Sequence, residues 1–309
     1  MSSMRVHIFI ILLISTTYII SCEGTSRKVN IDDLKPVTSK KFKPDIFVDE
    51  RVKNTSTTLL PNDWRSSGVS EFAGIVDHGS LTSASASIAI FSPGSVTSGE
   101  FTISFISIES GEGSDFNGFQ IGWAVNPDFY KDSEIHFFIF KVNHGSCADN
   151  ACTDFEYNDR SLKFGDILTP SEVGRENQNY LDLYIYQDTG SKLWHVEANS
   201  KTLGIWSGQS FTSLQNGATT IRFGGEAYTP KGWSSSPPMG SGSMNYPGMR
   251  PLTAYFEDVT VNGVAPQNPQ IVETRCYVVA DAGSTEFFEG YGFFFGGSGG
   301  SDEGGCAYP

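Results

Sequence analysis

From about Glu71 onward the chain is built of short runs in which apolar and polar residues alternate. Ala84, Ala86, Ile88 and Ile90 alternate mostly with serines, and Ile135, Phe137 and Ile139 alternate with His136, Phe138 and Phe140. Leu181, Leu183 and Ile185 repeat the pattern before Asp188-Thr189-Gly190, a turn sequence that leads into residues 193–197. A period of two is that of a strand whose two faces meet different surroundings. Phe101, Ile103 and Phe105 alternate with Thr102 and Ser104 and then slip register at Ile106, which predicts a bulge there. Val259 and Val261 precede Asn262-Gly263, a second turn signal. No window of useful length repeats at i, i+3, i+4, i+7, so little helix is expected. With 33 glycines and 23 phenylalanines in the chain, the pattern predicts one all-β domain, a single large sandwich or barrel with one sizeable core.

The first seventy residues read differently. Residues 5–20, RVHIFIILLISTTYII, form an Arg-led apolar run of signal-peptide length, with small residues at Ser21, Cys22 and Gly24 where cleavage is expected. No later stretch has the run of apolar residues that a spanning helix needs. Residues 25–68 lack apolar periodicity and contain two Lys-Pro steps, as a flexible linker or short pro-segment would. The expected organisation is therefore a signal peptide at 1–24, this basic segment at 25–68, and the β-domain at 69–309. Asn54-Thr55-Ser56 is a glycosylation sequon at their junction.

Charge sharpens the division. Between Thr25 and Lys53 eight Lys/Arg stand against five Asp/Glu, whereas from Ser66 onward eleven stand against 28. The acidic part would repel nucleic acid and anionic membranes, which excludes both as partners, and suits an acidic extracellular or vacuolar compartment as well as plain solubility.

Cys22 would leave with the signal, and the remaining four cysteines form an even set, as expected in an oxidising compartment. Paired by neighbourhood they give Cys147–Cys152 and Cys276–Cys306. A zinc site from His144, Cys147 and Cys152 is the rival reading, but a structural zinc normally takes four ligands and no second Cys/His pair stands at ligand spacing. No metal or other cofactor is expected. No G-x-S-x-G elbow in a strand-to-helix setting occurs, and GGSGG near the C-terminus is low complexity without the Lys-Ser/Thr ending of a phosphate loop. Phe293-Phe294-Phe295 reads as a final core strand.

Two segments place one polar residue where an apolar one would be expected: FNGFQIGW, with Gln120, and IRFGGEAY, with Glu226. A buried polar group costs stability unless something satisfies or uses it, which makes the two a candidate catalytic pair. The plainer alternatives are that Gln120 is a satisfied strand amide and that Glu226 closes a turn at Gly224-Gly225. Trp123, Trp194 and Trp206 read as core or as cleft wall.

The landmarks occur in an order that resembles a known family: GWAVNPDFY, the Cys-x4-Cys hairpin, YLDLYIYQDTGSKLWHV, LGIWSG, FGGEAY, PMGSGS and a late CYVV…GYGFFFGG…C ending. Over roughly residues 70–309 the chain is similar to the neprosin-like family of secreted plant proteins. The resemblance implies a large antiparallel two-sheet β-sandwich with a cleft holding two glutamates, and a glutamic endopeptidase cutting after proline under acidic conditions. Glu226 matches the second glutamate, in Gly-Gly-Glu, whereas Gln120 stands where the first is expected, before Gly-Trp. Ser243, Phe223 and Thr153-Asp154 also depart from the family pattern. A Gln/Glu pair resembles that of the fungal eqolisin-type glutamic peptidases. The implied chemistry is water activation by Glu226 with Gln120 polarising the carbonyl, and Trp123, Gly224, Gly225, Tyr228, Ser241 and Ser243 are candidates to line the cleft. The resemblance implies a protein or peptide substrate as partner, with proline-rich sequences favoured. The alternative is a catalytically lapsed sandwich that binds cell-wall carbohydrate or peptide.

Overall fold

The computed structural model describes residues 68–143, 145–175, 177–207, 210–243 and 250–301. The expected signal peptide, nearly all of the basic segment, Asn54, His144 and Cys306 lie outside the described residues. In chain order the first strands are β1 (Gly68–Leu81), β2 (Ser83–Ala89), β3 (Phe101–Ser110), β4 (Asn117–Val125), β5 (His136–Asn143), β6 (Ser146–Ala148) and β7 (Phe155–Tyr157). There follow β8 (Tyr180–Gln187), β9 (Trp194–Ala198), β10 (Lys201–Trp206), β11 (Ala218–Pro230) and β12 (Ser235–Ser236). The last are β13 (Tyr255–Val261), β14 (Gln270–Val272), β15 (Val278–Thr285), β16 (Phe288–Gly296) and β17 (Gly300–Ser301). The one α-helix among the described residues, α1 (Pro127–Tyr130), is a single turn capped by the Asn126 side chain.

Apart from β12 and β17, which pair with each other, the strands form an antiparallel two-sheet sandwich. The first sheet has the order β14-β1-β11-β3-β4-β5-β6 and the second β15-β16-β13-β2-β8-β9-β10-β7. Between them lies the main core, where Ile75, Ile106, Ile121 and Phe223 of the first sheet meet Ile88, Leu183, Val196 and Phe256 of the second. Trp123, Trp194 and Trp206 are fully buried in it, and Trp123 donates its indole N–H to the Ala89 carbonyl at 3.0 Å. Phe293-Phe294-Phe295 lies in β16, also fully buried.

The second sheet shows the alternation read from sequence, because its other face meets solvent. In β8, Leu181, Leu183 and Ile185 are buried while Tyr180 and Tyr184 are exposed. The first sheet is buried on both faces. Beyond the main core, a second cluster of Phe72, Phe101, Ile103, Phe105, Phe138 and Phe140 covers the side facing away from the second sheet.

This corrects the expected bulge at Ile106. The register of β3 runs unbroken against β11 from Phe101–Tyr228 to Glu109–Thr220, and against β4 from Thr102–Val125 to Ser110–Asn117. Phe101, Ile103 and Phe105 point outward and Ile106 and Ile108 inward, each into an apolar cluster. The strand changes which face it fills with large apolar residues, and no residue is inserted.

Cys147 and Cys152 are joined by a disulfide that ties β6 to the turn after it, so their thiolates are not available to zinc. Cys276 is also disulfide-bonded.

Candidate active site

Strand parity decides which side chains share a surface. In β4, Phe119, Ile121 and Trp123 enter the main core, so Gln120 projects from the opposite, outward face between Gly118 and Gly122. In β11, Ile221, Phe223 and Ala227 enter the core, which leaves Arg222, Gly224, Glu226 and Tyr228 outward. Gln120 and Glu226 thus lie on one face of one sheet. Both are buried, at 1% and 7% exposure, so neither is ordinary surface decoration.

Register sets their separation. Ser107 of β3 is paired with Gln120 on one side and Arg222 on the other, so those three form one row, whereas Glu226 is paired with Ile103. Glu226 therefore sits four residues along and two strands across from Gln120. For a flat sheet that is roughly 13 Å along and 10 Å across, and twist and the lean of the side chains act on this spacing. Between the two rows run Gly74, Gly224, Phe105, Gly122 and Phe138 in register.

Gly224-Gly225 is not a turn, since the pairing of β11 with both neighbours continues through it. Each glycine receives something on its own face. A Cβ on Gly224 would lie 2.8 Å from the Phe72 ring and 2.3 Å from the Ala73 carbonyl oxygen. One on Gly225 would lie 2.7 Å from both Met239 Sδ and Phe295. Gly224 thus leaves room on the outward face for the Phe72 ring, and Gly225 leaves room on the core face for Met239 and Phe295.

Residues 98–298 match the family model described as Neprosin. The chain belongs to the Neprosin family. Its fold is also similar, at low identity, to solved glutamic peptidases. One is a crystal structure of scytalido-glutamic peptidase with a transition state analog inhibitor (13% identity, 74% of this chain and 98% of that chain, TM-score 0.42). Another is SCP-B, a member of the Eqolisin family of peptidases, in complex with the tripeptide Ala-Ile-His (10% identity, 74% and 98%, TM-score 0.40).

In this Neprosin-family chain the outward face is polar at one end. Arg222 Nε donates to both carboxylate oxygens of Glu109, at 3.0 and 3.2 Å, and the Ser107 hydroxyl donates to Glu109 at 2.6 Å. Burial pushes the Glu109 carboxyl above its ordinary range, against the lowering pull of Arg222 and Ser107. This trio occupies Gln120's row and the row next to it. At the β5 edge His136, in Glu226's row, stacks on Tyr130 with ring centroids 3.8 Å apart, and its Nε2 lies 2.9 Å from Asp132. The Tyr130 hydroxyl donates to Asp149 at 2.7 Å, and the Ile139 amide donates to the same carboxylate at 2.9 Å. Burial raises Asp149 to about 6, more than those two hydrogen bonds lower it.

The remaining expected lining residues divide between the faces. Gly224 and Tyr228 are outward, and Tyr228 stacks on Phe101 at 5.0 Å. Trp123 and Gly225 face the main core, so they do not line the surface that carries Gln120 and Glu226; Trp123 stands three residues from Gln120, and an odd separation in a strand reverses the face. Ser241 and Ser243 lie in the loop before β13, where the Ser241 hydroxyl donates to the Leu252 and Ser243 carbonyls at 3.0 and 3.3 Å. Among the described residues no cluster of His, Cys, Asp or Glu could hold a metal ion. Ser107, Glu109 and Arg222 escaped the sequence reading, although the even spacing of Arg222 and Glu226 already places them on one face of β11.

Proposed function

We propose that this Neprosin-family protein is a secreted glutamic-type endopeptidase that hydrolyses peptide bonds on the carboxyl side of proline. The observation that carries the reading is Glu226, a buried carboxylate at the family's Gly-Gly-Glu position, on the same sheet face as Gln120. Glu226 takes a proton from water as the oxygen attacks the scissile carbonyl carbon. The Gln120 amide N–H donates to the carbonyl oxygen as it gains negative charge. Glu226 then returns the proton to the departing amine, one carboxylate serving as base and then acid. Export is supported by the Arg-led apolar run at residues 5–20 and by the cysteine pairing.

The offset of the two rows, and the neutral side chain at 120, favour a second reading in which the sandwich is a lapsed enzyme that still binds peptide or cell-wall carbohydrate. One experiment separates them. The natural chain, Gln120→Glu and Glu226→Ala are incubated at acidic pH and assayed on proline-rich substrates from pH 2 to 7. The peptidase reading expects cleavage by the natural chain, reduced by about 10²- to 10⁴-fold in Glu226→Ala. Cleavage that appears only in Gln120→Glu overturns it in favour of the lapsed enzyme.

A further inference from the structure

The outward face of the second sheet is a surface the peptidase chemistry does not use. On β8, Tyr180, Asp182, Tyr184 and Tyr186 all project from it, and Tyr180 and Tyr184 are 48% and 40% exposed. Tyr184 and Tyr186 stack at 4.9 Å, and Tyr186 stacks on His195 of β9 at 4.7 Å, so the rings form a ladder across two strands. Solvent does not favour keeping such rings uncovered, and Tyr is a residue that interfaces enrich.

A groove of about 410 Å³ runs beside this ladder, across β2, β8 and β13. Four carboxylates line it, Asp182, Glu197, Glu257 and Asp258, and no Lys or Arg does. Arg250, outside the lining, reaches Glu257 at 2.7 Å and offsets one charge. Asp182 is held in place by the Ser87 hydroxyl, at 2.5 Å, and by the Asn199 side chain, which accepts from its backbone N–H at 3.1 Å. The carboxylates feel one another: burial raises the Glu257 carboxyl most, Arg250 pulls it back, and Asp258 and then Asp182 push it upward. Like charges gathered on a strand surface repel, and a cation placed among them relieves the repulsion.

We propose that this groove binds an extended polypeptide through its lysine or arginine side chains, which would sit between the carboxylates and against the exposed faces of Tyr180 and Tyr184. The charge disfavours acidic partners, and the pairing of a negative floor with tyrosine walls suits an ammonium or guanidinium better than a neutral sugar, whose hydroxyls can donate to the carboxylates but leave their charge unbalanced. The inference stands on the second sheet alone and is independent of the peptidase reading.

The test uses the full chain carrying Glu226→Gln, so that binding is separate from any turnover. Probes are a fluorescent peptide of alternating lysine and proline, the same peptide with glutamate for lysine, and a labelled neutral cello-oligosaccharide. Expected is binding of the lysine peptide alone, weakened at least tenfold between 50 and 500 mM salt and at least tenfold by Asp182→Asn with Glu197→Gln. Glu197→Lys, at a half-exposed position, should weaken it further while the near-ultraviolet spectrum stays unchanged. Lysine-peptide binding indifferent to these substitutions, equal binding of the glutamate peptide, or binding of the oligosaccharide alone would each overturn the proposal.

Discussion

Glu109 and Arg222 are two charges taken out of water and matched to each other on the face that carries Gln120. Their side chains are 4% and 8% exposed, so desolvation weighs heavily on both. Breaking the pair from one side should be expensive: Arg222→Met is expected to destabilise the protein by about 3–5 kcal/mol, since it leaves Glu109 buried without its countercharge. Replacing both, as Glu109→Leu with Arg222→Met, should recover most of that loss. Denaturant titration of the natural chain and three variants measures the coupling, and additive single effects would show that the two charges do not depend on each other. At this scale the sequence exposes parity and hides register. That Gln120 and Trp123 face opposite ways follows from their spacing alone. That Gln120 shares a row with Ser107 and Arg222 does not, because nothing local specifies which residues of three distant segments stand side by side.

At the scale of elements, β11 explains both what was legible and what was not. Its residues lie between β1 and β3, buried on both faces, so the strand shows no clean alternation and its two glycines look like a turn. The strands of the second sheet, solvated on one side, were readable in β2, β8 and β9 for the opposite reason. The same burial makes the glycines intolerant. Gly224→Ala would place a methyl 2.3 Å from the Ala73 carbonyl oxygen and 2.8 Å from both the Gly74 Cα and the Phe72 ring. Two of these neighbours are backbone atoms, so β1 itself must shift. The expected cost is about 1–3 kcal/mol, the range for an extra methyl forced into a filled site. Thermal or denaturant unfolding checks it. Alanine at the exposed Gly190, where a Cβ would approach only Asp188 at 3.5 Å, is the control that should unfold at nearly the same point as the natural chain. Equal stability of the two variants would show that β1 yields to the methyl without cost.

Across the whole domain, the direction of several carboxyl shifts sets how stability depends on pH. Asp149 is raised from 3.8 to about 6, and Glu109 and Glu257 are raised as well, with burial as the largest cause in all three. A carboxyl raised on folding binds its proton more tightly in the folded chain than in the unfolded one. Between the two pKa values the folded state holds more protons, so stability falls as pH rises through that window and is regained as pH is lowered. For Asp149 the difference corresponds to about 3 kcal/mol, fully felt above pH 6 and absent below its ordinary value. Asp132, Asp159 and Asp188 are held below the ordinary value, chiefly by hydrogen bonds from His136 for the first and from Ser161 and Ser191 for the others. Their sign is opposite: they stabilise above their ordinary value, and that contribution is lost as acid protonates them. The two sets together place maximum stability near pH 4 to 5, below the neutral region, in the range where an acidic chain of net charge −14 also sheds self-repulsion. Denaturant unfolding from pH 3 to 8 should show stability rising as pH falls from about 6 toward 4 and dropping again below 4. In Asp149→Asn, which keeps an acceptor for the Ile139 amide, the rise should be shallower by about 3 kcal/mol. A maximum at pH 7 or above in the natural chain would show that these buried carboxyls are ionised in the fold at little cost.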